Sequence, residues 1–337
     1  MQRWQGLDAV PDGFGPSVVT IGNFDGVHRG HRALLATVIG AARTRGLPAV
    51  AVTFEPHPVA VLFPERAPAV LTAPEHRLEL LAETGLDAVL VLEFTREFAQ
   101  WSPERFVRTV FVDALHAALV VVGADTRFGH RNSGDVATLR QLGATLGFEV
   151  ETVPEFGLAP VAGATPGDAA AARRWSSSWV RELLAQGDVG RAAEVLGRPH
   201  RVTGVVVHGD HRGRELGYPT ANLSQDAVGQ VPADGVYAGR LVRPELPLGA
   251  PDAVLPAAVS VGTNPTFDGL QRRVEAYVLD RTDLDLYGER LAVEFVERLR
   301  PTLRFDGVDA LVEQMALDVA RCRELLGVRS DPDPARS

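Results

Sequence analysis

The run "GNFDGVHRGH" (Gly22 to His31) sets two histidines three residues apart, where an apolar stretch gives way to a helical pattern. Gly22, Gly26 and Gly30 are interspersed, and glycine lets a backbone turn sharply or approach a ligand closely. A helix N-terminus carries unpaired N–H groups and a positive dipole end, both favourable to phosphate. Imidazoles placed there can donate hydrogen bonds to phosphate oxygens as charge builds in a transition state. No proton need be removed and no covalent intermediate formed. Two other readings compete: a metal pair, for which no third ligand is evident, and a purely structural pair.

Three further groups could do chemistry. "GYPTAN" places Thr220 and Asn222 two apart, so on an extended segment both side-chain oxygens face one side. Magnesium takes oxygen ligands and keeps waters and phosphates in its shell, so two neutral oxygens can suffice beside a nucleotide. The plainer reading is a proline turn entering a strand. In "RRVEAYVLD" the alternation puts Val274, Ala276 and Val278 on one face and Glu275, Tyr277 and Leu279 on the other. A lone Glu on a strand is ordinarily just solvated. "SSSWVR" starts a helical pattern with hydroxyls and puts Arg181 one turn on, which suits either a phosphate clamp or an ordinary N-cap.

These residues sit in a chain of 337, long enough for two domains. With 45% hydrophobic and 23% charged residues, it has the profile of an ordinary globular protein. A net charge of −9 with no long basic run argues against nucleic acid as a partner. All 34 basic residues are arginine. That excludes the Walker P-loop, whose lysine reaches the β- and γ-phosphates. Cys322 is the only cysteine, so neither an intrachain disulfide nor a Cys-built zinc site can form. "MQRWQGLDAVPDG" lacks the apolar core of a signal peptide, and runs such as "AALVVVGA" are too short to span a bilayer. A cytoplasmic protein without membrane partners is expected.

The first half alternates short β-branched runs ("SVVTIG", "PAVAVTF", "DAVLVLEF", "ALVVVGA", and 148–153) with helical patterns ("HRALLATVIGAARTRG", "APEHRLELLAETG", "SPERFVRTVFVDALH", "GDVATLRQLGATLG"). Such alternation predicts a Rossmann-like α/β domain with a parallel sheet covered on both faces, its ligands bound beyond the carboxyl ends of the strands. "VVTIG" reads as the first strand, which puts His28 and His31 on that edge and in the first turn of the helix that follows. After a Pro/Gly/Ala-rich excursion come two short helices, "SSSWVRELLAQGD" and "VGRAAEVLG". From Arg201 onward, short strands with turn-rich connections predict a small antiparallel barrel or sandwich closed by a C-terminal helix. The expected domains are 1–186 and 187–329, with a frayed tail over 330–337.

H-x-G-H alone is shared with class I aminoacyl-tRNA synthetases, whose larger size and tRNA-binding surfaces are missing here. The full string is more specific, and it resembles the nucleotidyltransferase module of the bifunctional bacterial riboflavin kinase/FAD synthetases. "TFEPHP", "GADTRFGHRNSGD" and "SSSWVRELLAQGD" match further segments of that module in order. "GRPHRVTGVVVHGDHRGRELGYPTANL" and "SVGTNPTFDGLQRRVEAYVLD" match the kinase module. The resemblance implies transfer of AMP from ATP to FMN by the first module, giving FAD and pyrophosphate. His28 and His31 would polarise the triphosphate, Gly22, Asn23, Phe24 and Asp25 would form the loop beside it, and Ser177, Ser178 and Arg181 a second clamp, with Arg174 a further candidate. Asp125, Thr126 and Arg127 would lie by the flavin or adenine. Thr126 stands where the family usually has Phe, and Ser178 replaces its usual Thr. For the second module it implies a small antiparallel β-barrel that phosphorylates riboflavin to FMN with ATP. Thr220 and Asn222 would bind Mg2+, Gly213 and Arg214 (with Arg212) the nucleotide phosphates, and Glu275 would accept the ribityl hydroxyl proton. Only small-molecule partners are expected, riboflavin, FMN and ATP, with the chain a monomer or weak homo-oligomer.

Overall fold

Val, Ile and Leu dominate the first four apolar runs of the first half because those strands are buried on both faces, whereas the fifth, 148–153, is an edge strand with Glu149 and Glu151 exposed. In the computed structural model, which describes residues 1–154, 156–157, 173–209, 216–247, 249–266 and 269–328, they are β2 (Ser17–Ile21), β3 (Ala49–Glu55), β4 (Ala88–Glu93), β5 (Ala117–Gly123) and β6 (Glu149–Val153). A strand absent from the sequence reading, β1 (Gln2–Gln5), pairs in parallel with β4, so "VVTIG" is the second strand. The sheet is parallel throughout, in the order β1-β4-β3-β2-β5-β6. The order reverses between β2 and β5, and a crevice beyond their carboxyl ends is where such sheets bind ligands.

Two apolar layers cover this sheet. On one face α1 (Arg29–Arg45) and α3 (Pro74–Ala82) pack Leu35, Val38, Leu78 and Leu81 against Val18, Ala51 and Val121. On the other lie α4 (Pro103–Phe106), its continuation as a π-helix (Val107–Ala114), and α5 (Val136–Leu146). A short α2 (Pro58–Leu62) follows β3.

By contacts the chain divides into two compact units, 1–68 with 74–176, and 69–73 with 177–337. The division falls ahead of the boundary expected at Gly187, because α6 (Ser177–Gln186) packs on α7 (Val189–Leu196) in the second unit. The expected tail (330–337) and most of the Pro/Gly/Ala-rich excursion lie outside the described residues.

In the second unit β7 (His200–Val207), β8 (Thr220–Leu223), β9 (Gly235–Val242), β10 (Val254–Thr266), β11 (Gly269–Val278) and β12 (Arg290–Arg300) form a closed antiparallel barrel in the order β10-β11-β8-β7-β12-β9. Register pairs Ala276 with Val259 and Ala221, and Phe295 with Gly239, which sets those residues on the inner face. Gly239 is required there: a methyl group would come within 2.4 Å of the Glu294 carbonyl. α8 (Val308–Leu326) lays Val319 and Cys322 over Ala238 and Leu279. Burial pushes the Cys322 thiol up to about 12, so it is an inert packing residue.

Candidate active sites

The loop 22–28 joins β2 to α1 at the switch point, and Phe24 to His28 are all buried. Phe24 and Val27 hold positive φ of 50° and 38°, which side chains with a Cβ avoid, β-branched ones most of all. Strain of this kind persists only where the surroundings over-determine it, and it gathers at functional sites. Gly22 leaves room for the Phe24 ring: a methyl there would lie 3.0 Å from it. That ring meets His31 edge-on, with centroids 5.3 Å apart.

His28 is not inside the first turn, as the spacing predicted. Its backbone is extended (φ −68°, ψ 170°) and it is the N-cap of α1. Its Nδ1 accepts from the His31 backbone N–H at 3.2 Å. Once Nδ1 accepts, the neutral ring carries its proton on Nε2, so Nε2–H is the ring's donor. The two imidazoles stack with centroids 3.7 Å apart and planes 18° apart. Gly30 makes room for this: a methyl there would lie 3.1 Å from the His28 ring and 3.3 Å from the Trp175 carbonyl. Burial first, then His28 and Arg174, hold the His31 pKa well below the usual histidine value. His31 is therefore a neutral imidazole at neutral pH, and its buried Nδ1 has no hydrogen-bond partner among the described residues.

Across the switch point, the turn after β5 closes through Thr126 N–H to the Gly123 carbonyl at 3.1 Å. Asp125 pairs with Arg174 at 2.5 Å, between two rather exposed side chains, which brings the guanidinium into the field of His31. Arg127 is exposed and donates to the Thr126 carbonyl. The first-module residues Gly22, Asn23, Phe24, Asp25 and His28 thus lie on one loop and His31 in the first turn of α1 after it, with Asp125, Thr126 and Arg127 on the loop across the reversal.

In the second unit, Ser177 and Ser178 open α6, whose Trp179, Val180, Leu183 and Leu184 are buried. Arg181 donates from Nε to the Ala69 carbonyl at 2.7 Å, and its own carbonyl accepts from Gln230 Nε2 at 2.8 Å. No local pattern could have announced either long-range partner.

On the barrel, Glu275 is in register with Asn222 and Tyr277 with Thr220, so all four share the face opposite Ala276 and Ala221. Thr220 Oγ1 lies 3.5 Å from Glu275 Oε2. Asn222 donates from Nδ2 to the Thr220 hydroxyl (3.2 Å) and carbonyl (3.3 Å), while its Oδ1 is buried with no partner among the described residues. An orphaned buried acceptor is costly unless something binds it. Gly209 sits directly on this amide: a methyl there would come within 2.6 Å of Asn222 Nδ2. Arg212, Gly213 and Arg214 lie outside the described residues. Among the described residues no three His, Cys, Asp or Glu side chains cluster as a metal site. No helix there is long and apolar enough to cross a membrane.

Comparison with known proteins matches residues 12–161 to the FAD synthetase family and 196–326 to the riboflavin kinase family. A bifunctional riboflavin kinase/FMN adenylyltransferase of Escherichia coli (strain K12) is 38% identical over 92% of this chain and 93% of its own length. The enzyme of that name from Listeria monocytogenes is 35% identical over 89% and 90%. A solved structure described as a macrolide-efflux protein from Streptococcus pneumoniae superposes with a TM-score of 0.80 at 31% identity, covering 96% of this chain and 99% of that one. Two family domains in order and identity sustained across both show that the chain belongs to the bifunctional riboflavin kinase/FMN adenylyltransferases.

Proposed function

We propose that the two units divide the family's two reactions between these particular residues. On the barrel, Glu275 takes the proton from the ribityl hydroxyl of riboflavin as that oxygen attacks the γ-phosphorus of ATP, releasing ADP and FMN. Phosphoryl transfer needs chiefly positioning and charge stabilisation, so one base and one cation site are a sufficient protein kit. Thr220 and Asn222 would hold Mg2+, whose charge would neutralise the phosphates. The single observation that carries this reading is the orphaned Asn222 Oδ1 beside Thr220 and in register with Glu275. A neutral oxygen donor set suits a hard, partly hydrated cation.

In the first unit, a phosphate oxygen of FMN attacks the α-phosphorus of a second ATP, giving FAD and pyrophosphate. His28 Nε2–H and the dipole of α1 favour the charge on the triphosphate, and neutral His31 supports the His28 ring by stacking. Ser177, Ser178 and Arg181, which belong to the second unit, carry hydroxyl and guanidinium donors of the kind a triphosphate takes. We read the chain as a cytoplasmic enzyme, monomeric or weakly self-associating, with small molecules as its partners and no nucleic acid.

The test is a time course with riboflavin, ATP and Mg2+, resolving flavins by chromatography. FMN should appear and then give way to FAD. FMN accumulating without FAD would refute adenylyl transfer and direct attention to Thr126, too short to offer the aromatic face of the family's Phe. FAD formed from supplied FMN without any FMN from riboflavin would refute the kinase.

We also propose that the kinase folds on its own from Gly187 onward, since α7 packs directly on β7 and β12. A fragment of residues 188–337 should phosphorylate riboflavin at near the full-length rate. An inert 188–337 fragment beside an active 177–337 fragment would instead make α6 part of the kinase fold.

A further inference from the structure

Arg77 is the one buried arginine among the described residues, only 5% exposed, and neither reaction above uses it. It lies in the first turn of α3, where a cation opposes the helix dipole. Its Nη1 donates to the Asn23 carbonyl at 3.3 Å. Its Nη2 donates to the Phe54 carbonyl at 3.2 Å and to Glu55 Oε2 at 2.8 Å. Nε is buried without a partner among the described residues. A partly satisfied buried cation is a poor way to stabilise a domain, so the placement calls for another reason.

The acceptors supply it. Asn23 opens the strained stretch with positive φ at Phe24 and Val27 that leads to His28. The Asn23 carbonyl also accepts from Thr53 Oγ1 at 3.2 Å. Phe54 and Glu55 end β3 and lead to His57, whose Nε2 lies 3.4 Å from Asn23 Nδ2. One planar guanidinium therefore ties the loops after two adjacent strands, through main-chain carbonyls that no substitution elsewhere can remove. The peptide plane between Asn23 and Phe24 is rigid, so holding its oxygen toward Arg77 turns the Phe24 N–H to the opposite side. A lysine has no fork and cannot span the three acceptors in this geometry.

We propose that Arg77 is a positioning residue for adenylyl transfer: it locks the 22–28 loop to the end of β3 and so sets where His28 stands against the triphosphate. This rests on assigning adenylyl transfer to the first unit. A misplacement of about 1 Å can cost about a hundred-fold in rate. Full-length Arg77→Gln, Arg77→Lys and Thr53→Val would be assayed for FAD formation from FMN and, as an internal control of folding, for FMN formation from riboflavin.

In Arg77→Gln, kcat for FAD formation should fall about ten- to hundred-fold. KM for ATP should change much less, and riboflavin kinase activity should stay at wild-type level. Arg77→Lys should recover only part of the loss, and Thr53→Val, which removes the second donor to the same carbonyl, should show a smaller drop of the same kind. Variants with lowered melting temperature but wild-type kcat below it would overturn the proposal and leave Arg77 a structural residue. Should Arg77→Gln fail to fold, full activity in folded Arg77→Lys and Thr53→Val would overturn it equally. A wild-type chain that makes no FAD from FMN would refute instead the assignment on which the proposal rests.

Discussion

Glu275→Gln should lower FMN formation from riboflavin by about 10²- to 10⁴-fold, the range for a lost general base, while FAD formation from supplied FMN continues unchanged. Gln has the same shape and can still accept from the Thr220 hydroxyl, 3.5 Å away. What it loses is the ability to take a proton. Glu275 sits on a strand whose alternate residues Val274, Ala276 and Val278 are buried, so the substitution on the opposite face should leave the melting temperature nearly unaltered. The measurement is the initial rate of each half-reaction on one protein preparation. A loss under ten-fold would remove Glu275 as the base. Loss of both activities would contradict a division of the reactions between the units.

The mirror experiment is His28→Asn, with FAD formation expected to fall by about 10²- to 10³-fold, as for loss of a preorganised donor at a developing charge. Riboflavin kinase activity should be unaffected. Asn is chosen because the structure gives His28 two jobs. It caps α1 through Nδ1, and it stacks on His31 with Nε2–H as the ring's donor. His28→Ala would remove the cap as well, at a cost of about 1 kcal/mol. Asn can cap and cannot stack or donate as the imidazole does, so His28→Asn isolates the chemical role. Comparing melting temperatures of the two variants separates capping from catalysis. Undiminished FAD output from His28→Asn would take His28 out of the mechanism.

Much of this was written in local sequence. The β-branched runs became β2 to β6 because short apolar segments bounded by turn residues have one stable outcome in a covered parallel sheet. The alternation around Glu275 set it on the face opposite Val274, Ala276 and Val278, since the side-chain period of a strand is two, and those three are buried. The absence of lysine excluded one class of phosphate site outright. Motif order pointed to the family, and both family domains were found in that order.

Other features are set by partners far off in the chain. β1 has a single buried residue, Trp4, and exists because β4 offers it an edge. The reversal of strand order between β2 and β5 is a choice of neighbours, and no periodicity encodes it. His28 looked like a helical residue, yet the chain enters α1 extended and the imidazole folds back as a cap over Gly30. The orphaned oxygen of Asn222 is visible only once β8 pairs with β11. Arg77 reads as an ordinary charge on an amphipathic helix until two loops bring their carbonyls to it. Residue type and period determined the elements and the kinds of chemistry this protein carries. Tertiary pairing decided which of those groups meet, because burial and hydrogen bonding across the sheet and barrel depend on contacts that the local chain does not specify.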